Sequence, residues 1–242
     1  MNVLPAPVAA FDDAQRRGFA LLDDIVARIQ VGMTPEDIAR MALEGAAAHG
    51  FDGWYHLPEV QRGAALAGGW KQRLGRTDRK PLDEGELVAI DLGPATRDAF
   101  ADVGRTVQVG RGPAPRVLEV AETCVRACLG YASRWKTVGE IQVFAQAWAV
   151  NHRMELASSG VGHRVLPREG WLESGWPRSA HLATLLRRNQ IHRLHPVRMA
   201  GMFAVRPVVR DSRSGVAAAF EEIVWIDGEQ KHILGRDATS PS

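Results

Sequence analysis

Two short stretches of this chain carry the same instruction 103 residues apart: Thr34-Pro35-Glu36-Asp37-Ile38 and Thr137-Val138-Gly139-Glu140-Ile141. In each, threonine is a good N-cap and acidic residues suit the positive start of a helix. Pro35 also fits the first helical position of the first copy. Each capped helix comes after an amphipathic one. In the first copy Phe11, Ala14, Phe19, Leu22, Ile25 and Ile29 fall largely on one stripe. In the second copy the helix spans about residues 114–131. The segment after each helix pair repeats as well. Leu87 to Leu92 is apolar and branched, a loop with Gly, Pro and Asp comes next, and residues 99–109 alternate again. The stretch "GMFAVRPVVRDSRSGVAAAFEEIVWIDG" is likewise strand, polar turn, strand. The order helix pair, hairpin, helix pair, hairpin predicts an α+β duplication with a curved antiparallel sheet and helices packed outside it. With no linker between the halves (about 11–110 and 111–236), residues 1–242 are expected to form one domain with a frayed tail at 237–242.

Composition closes off several functions. Of 242 residues, 45% are hydrophobic and 24% charged, enough for a large core. The net charge of +2 is mixed along the chain, which argues against nucleic acid. The basic run Lys71–Lys80 is read as a solvated loop. Cys124 and Cys128 share one helix face, a spacing that favours neither a disulfide nor zinc. A reducing, cytoplasmic setting is expected. No signal peptide or membrane span is expected either.

Acids mark the first hairpin. A turn near Thr96-Arg97 would set Asp91, in "AIDLG", opposite Asp102, in "FADVGRT". Like charges facing each other across a pair repel. Either the loop bulges and one Asp meets solvent, or the acids share a metal, a proton or an arginine.

"LVAIDLGPATRDAFADVGRTVQVG" resembles the Asp-bearing hairpin of the pita-bread metallopeptidases: methionine aminopeptidases, Xaa-Pro peptidases and creatinases. That family has an Asp-x-Gly strand, a second Asp eleven residues on, then Arg-Thr. Asp91, Asp102, Arg105 and Thr106 match it. "VGMTPEDIA" resembles the entry to the family's second helix. "SSGVGHRVLP" falls on Gly-His-Gly-x-Gly, "AGMFAVRP" on Gly-Met-x-Phe-x-x-Glu-Pro, and "FEEIVWIDGEQKHIL" on the last Glu-bearing strand. The resemblance runs from about residue 12 to 236 and implies the pita-bread fold.

It also implies a site. In the family two divalent cations are held by two Asp, one His and two Glu, at positions matching Asp91, Asp102, His163, Arg206 and Glu221. Four ligand types remain, and the fifth has become a guanidinium, which cannot ligate metal. A second hairpin turning near Arg213-Ser214 sets Arg206 opposite Glu221; Glu222 is the alternative if the strand shifts by one. The expected metal ligands are therefore Asp91, Asp102, His163 and Glu221, holding one divalent ion (Mn, Co, Zn or Fe) or none. His163, Arg206 and Glu221 are the expected catalytic groups. His56, Trp70, Arg164 and Trp171 are the expected substrate-binding residues, although a lone strand histidine such as His56 is more often structural. Two family histidines have no counterpart: one falls on Gly170, where His181 or His192 could substitute. The other should fall between Trp70 and Asp78.

The leading expectation is a divergent hydrolase of a small amide or peptide-like substrate, with a one-metal or metal-free site. The opposing one is a non-catalytic pita-bread protein that binds or scaffolds. A homodimer is left open as a partner arrangement.

Overall fold

The computed structural model describes residues 4–66, 78–166, 191, 193–194 and 196–236. Both repeated threonines act as their spacing demands. The first helix, α1 (Ala6–Val26), is followed by α2 (Pro35–Gly45), where Thr34 accepts from Asp37 N–H and Asp37 accepts from Thr34 N–H. The second pair is α4 (Arg116–Tyr131) and α5 (Val138–Asn151), with the same reciprocal box between Thr137 and Glu140. Each box satisfies two backbone donors at a helix start, worth about 1 kcal/mol. A one-turn helix, α3 (Gly63–Leu66), lies between the pairs. α1 begins five residues before the start of the predicted apolar stripe, because Pro7 in the first turn suits a position that needs no donor.

Nine described strands form one antiparallel sheet: β1 (Gly53–Arg62), β2 (Leu87–Ala95), β3 (Val103–Gln108), β4 (Glu155–Leu156), β5 (Gly162–Val165), β6 (Gly201–Val205), β7 (Val208–Arg210), β8 (Ala217–Asp227) and β9 (Gln230–Ile233). Its spine runs β1-β2-β3-β8-β6-β5; β7 and β9 also pair with β8, and β4 with β7. Alternation along the strands divides the core. Val88, Ile90 and Leu92 of β2 pack with Phe11, Leu22 and Ile38 of the first helix pair. Phe203, Val205, Val224 and Ile226 pack with Val125, Ile141 and Ala145 of the second. The cysteines, Cys124 and Cys128, are buried and free, and Trp225 is core while Trp148 packs partly buried against the second cluster. No described helix is long and apolar enough to cross a membrane.

The first hairpin corrects one expectation. Asp91 pairs with Gly104, not Asp102, and Ala89 pairs with Thr106. The loop is centred one residue later than predicted, with Thr96 N–H bonded to Ala99 C=O and a bridge between Ala95 and Phe100. The register moves by two residues, so each side chain keeps its face. The acids are diagonal neighbours on one face rather than directly opposed. The second hairpin keeps its predicted register: Val205 pairs with Glu222 and Val208 with Ala219, which aligns Arg206 with Glu221 across the gap between β6 and β7.

Candidate active site

Four strands lay a row of residues across the sheet: Glu59 on β1 pairs with Asp91 on β2, Asp91 with Gly104 on β3, and Gly104 with Glu221 on β8. Glycine in the middle matters sterically. A Cβ on Gly104 would lie 3.1 Å from Glu221 Cβ and 3.3 Å from its Oε2. Gly93, two residues after Asp91, leaves similar room, because a Cβ there would meet the His56 ring at 2.5 Å. The two glycines open a bowl between carboxylates. Asp102 enters it from just before β3, its backbone clamped by buried Gln15 of α1: Gln15 Nε2 donates to Asp102 C=O at 2.9 Å, and Asp102 N–H donates to Gln15 Oε1 at 3.0 Å. That clamp was missed in the sequence, although a glutamine within the apolar stripe of α1 was its signal.

Into this bowl point the cations. His163 on β5 brings Nε2 to 2.9 Å from Asp102 Oδ2. His56 on β1 lies between both aspartates, its Nε2 3.4 Å from Asp91 Oδ1 and 3.4 Å from Asp102 Oδ1. Arg206 spans the row, with NH2 3.3 Å from Asp91 Oδ2 and Nε 3.3 Å from Glu221 Oε2. The side chains of Asp102 and Glu221 are only 2% and 4% exposed, so water screens these charges weakly. The pairing is electrostatic more than directional: Arg206 Nε, Asp91 Oδ1 and Asp102 Oδ2 have no aligned hydrogen-bond partner among the described residues.

Protonation follows from this crowding. Burial works against charge on His56, but the bond to Asp102 and the nearby Asp91, Asp102 and Glu59 charges push its pKa up to about 10. His163 is raised for the same reasons, burial opposing and Asp102 prevailing. Asp102 is held below the usual carboxylate range: burial raises it, and the two histidines outweigh burial. Glu221 is driven well above its ordinary value, first by burial and then by Asp102 and Asp91.

Of the expected site residues, His56, Asp91, Asp102, His163, Arg206 and Glu221 converge. Glu222 lies on the other sheet face and pairs with Arg236 at 2.8 Å. Arg164 follows His163 in β5, so alternation turns it to the opposite face, where it is exposed. It stands outside the bowl. Trp70, Trp171, Gly170, His181 and His192 lie outside the described residues. Glu59 and Tyr55 were not singled out as ionisable members of the site; Tyr55 stacks on Phe100 with centroids 4.0 Å apart and walls the bowl 6.2 Å from the His163 ring.

Two triads have donor atoms within 4.8 Å of one another: His56, Asp91 and Asp102, and Asp102, His163 and Glu221. Each has the donor types for one ion. The two-ion set implied by the resemblance does not fit, because the Arg206 guanidinium bridges the carboxylates, Asp91 and Glu221, that a second ion would need.

The model of Metallopeptidase family M24 matches residues 9–227. No curated protein matches the chain in sequence. Among solved structures, an X-Pro aminopeptidase from Thermotoga maritima MSB8 superposes with a TM-score of 0.72 at 18% identity, over 96% of this chain and 62% of that one. A prolidase from Pyrococcus furiosus gives 0.74 at 16%, over 97% and 65%. A methionine aminopeptidase from Thermotoga maritima gives 0.74 at 16%, over 97% and 98%. The chain thus spans less than two thirds of the first two and nearly all of the third. With its pita-bread fold and a match over most of its length, the chain belongs to metallopeptidase family M24.

Proposed function

We propose that this chain hydrolyses a small amide or peptide-like substrate, by proton transfer within the bowl and not through a metal pair. Membership of family M24 supports a peptidase-like hydrolase in general. The observation that carries the finer reading is the guanidinium of Arg206 lying 3.3 Å from both Asp91 and Glu221. Arginine stays protonated, so those carboxylates have a permanent partner.

In this reading Glu221 takes a proton from the attacking water as its oxygen bonds to the carbonyl carbon. Its raised pKa makes the ionised form a stronger proton acceptor. Arg206 faces the negative charge that develops on the substrate. His163, held on Asp102, delivers a proton to the leaving nitrogen as the C–N bond breaks. His56 positions both aspartates. A peptide and amide panel, run with chelator and with added Mn²⁺, tests this. Hydrolysis is expected to survive chelation and to fall about 100-fold or more in His163→Ala and Asp102→Asn. Activity untouched by Asp102→Asn would end the reading.

One observation favours the non-catalytic alternative: Arg206, His56 and His163 already lie against Asp91, Asp102 and Glu221. A protein that only binds would turn over nothing in the panel and would still tolerate chelator.

A further inference from the structure

The bowl gathers four acids, Glu59, Asp91, Asp102 and Glu221, around the space that the missing side chain of Gly104 leaves on the sheet. Acids in a cross-strand row repel unless a cation stands among them. Among the described residues, two of the three cations at these acids are histidines, which can lose their charge. Among them only Arg206 is permanent, and it spans the two acids that flank Gly104. Meanwhile Asp91 Oδ1 and Asp102 Oδ2, on residues more than nine-tenths buried, are met by His56 Nε2 at 3.4 Å and His163 Nε2 at 2.9 Å, without an aligned hydrogen bond among the described residues. Both belong to oxygen- and nitrogen-bearing triads compact enough to surround one ion. Hard oxygen donors with imidazole suit a divalent cation such as Mn²⁺. What argues against one entering is the fixed charge already there.

We propose that Arg206 is a resident counter-ion that keeps divalent metal out of this bowl, and that removing its charge converts the same acids into a divalent-cation site. The proposal rests on the metal-free reading above, but metal content reads it out and hydrolysis does not. A dead panel with a metal-free chain would sink the hydrolase alone.

The experiment compares the wild-type chain with R206Q, R206E and R206Q/D102N, each purified, incubated with Mn²⁺ and dialysed. Elemental analysis gives ions per chain, and the melting temperature is followed as Mn²⁺ is added. The wild type is expected to retain no stoichiometric ion and to melt at the same temperature with or without Mn²⁺. R206Q and R206E should each retain an ion and melt higher as Mn²⁺ rises, since a ligand that binds only the folded state stabilises it. Adding D102N to R206Q should abolish retention, because Asp102 is common to both triads. If neither variant folds in metal-free buffer, Mn²⁺-dependent recovery of native circular dichroism supports the proposal and no recovery overturns it. A wild type carrying a full equivalent of Mn²⁺, or folded R206Q and R206E that both take up none, overturns it as well.

Discussion

His56 is where residue chemistry governs the whole bowl. Asp91, Asp102 and Glu59 all favour its charged form, and its pKa rises from an ordinary 6.5 to about 10. A group that binds its proton more tightly when folded stabilises fully below its unfolded pKa. That stabilisation fades as pH climbs through the folded value. His163 and Glu221, both raised, act in the same sense. Asp102, lowered, adds stability above its ordinary 3.8 and loses it in acid. The urea midpoint is therefore expected to fall steadily between pH 6.5 and 10, and His56→Gln to flatten part of that slope. An identical slope in the variant would show that the histidine titrates elsewhere. His56 was hard to weigh in the sequence because its meaning is non-local. It reaches the acids through a strand with two register shifts, between Trp54 and His56 and between His56 and Glu59, and no spacing rule anticipates a bulge. Asp91 and Asp102 were legible from their hairpin, whose face alternation survives a two-residue error in register, whereas Arg206 and Glu221 were picked out by the family resemblance.

At the scale of the element, the strand carrying His163 depends on the glycine before it. Gly162 has φ +134, a conformation L side chains rarely adopt, and a Cβ there would lie 2.0 Å from the carbonyl oxygen of Ala204 on β6. Backbone cannot yield as a flexible side chain could. Gly162→Ala is expected to cost about 3 kcal/mol, combining strain with a broken β5–β6 pairing, read as a lower denaturant midpoint at unchanged slope. A loss below about 0.5 kcal/mol, the scale of an ordinary surface substitution, would contradict the close approach. In the sequence Gly162 stood out only as the glycine before the matched histidine, whereas the structure makes it a contact point between strands. Helices were the easier elements. Caps and apolar stripes are local signals, and α2, α4 and α5 begin within about two residues of where they point. The strands β1, β4 and β9 were less legible because pairing partners, not residue preference, define them.

Across the molecule, the two halves of the duplication meet in the sheet along one narrow seam. Only Gly104 with Glu221 and Arg105 with Phe220 pair β3 to β8. The next step of the ladder is made by a side chain: Thr106 Oγ1 donates to Ala219 C=O at 3.0 Å and accepts from Ala219 N–H at 2.9 Å. Arg105 ties the same strand outward to Asp23 on α1 at 2.6 Å. The Arg-Thr pair that stood out in the sequence as a family feature thus has a mechanical role, holding the first half to the second beside the bowl. Thr106→Val keeps the shape of the side chain while removing its hydroxyl, which leaves a buried donor and acceptor of Ala219 unmatched. The expected cost is about 2 kcal/mol, the penalty of orphaned buried polar groups. Amide exchange separates this from a general loss of stability. Ala219 and its neighbours on β8 should exchange faster relative to the amides of β2, while those within α4 keep their protection apart from the uniform drop in global stability. Exchange that rises equally everywhere would mean that the hydroxyl is not the staple, and that the halves are held together by their shared core alone.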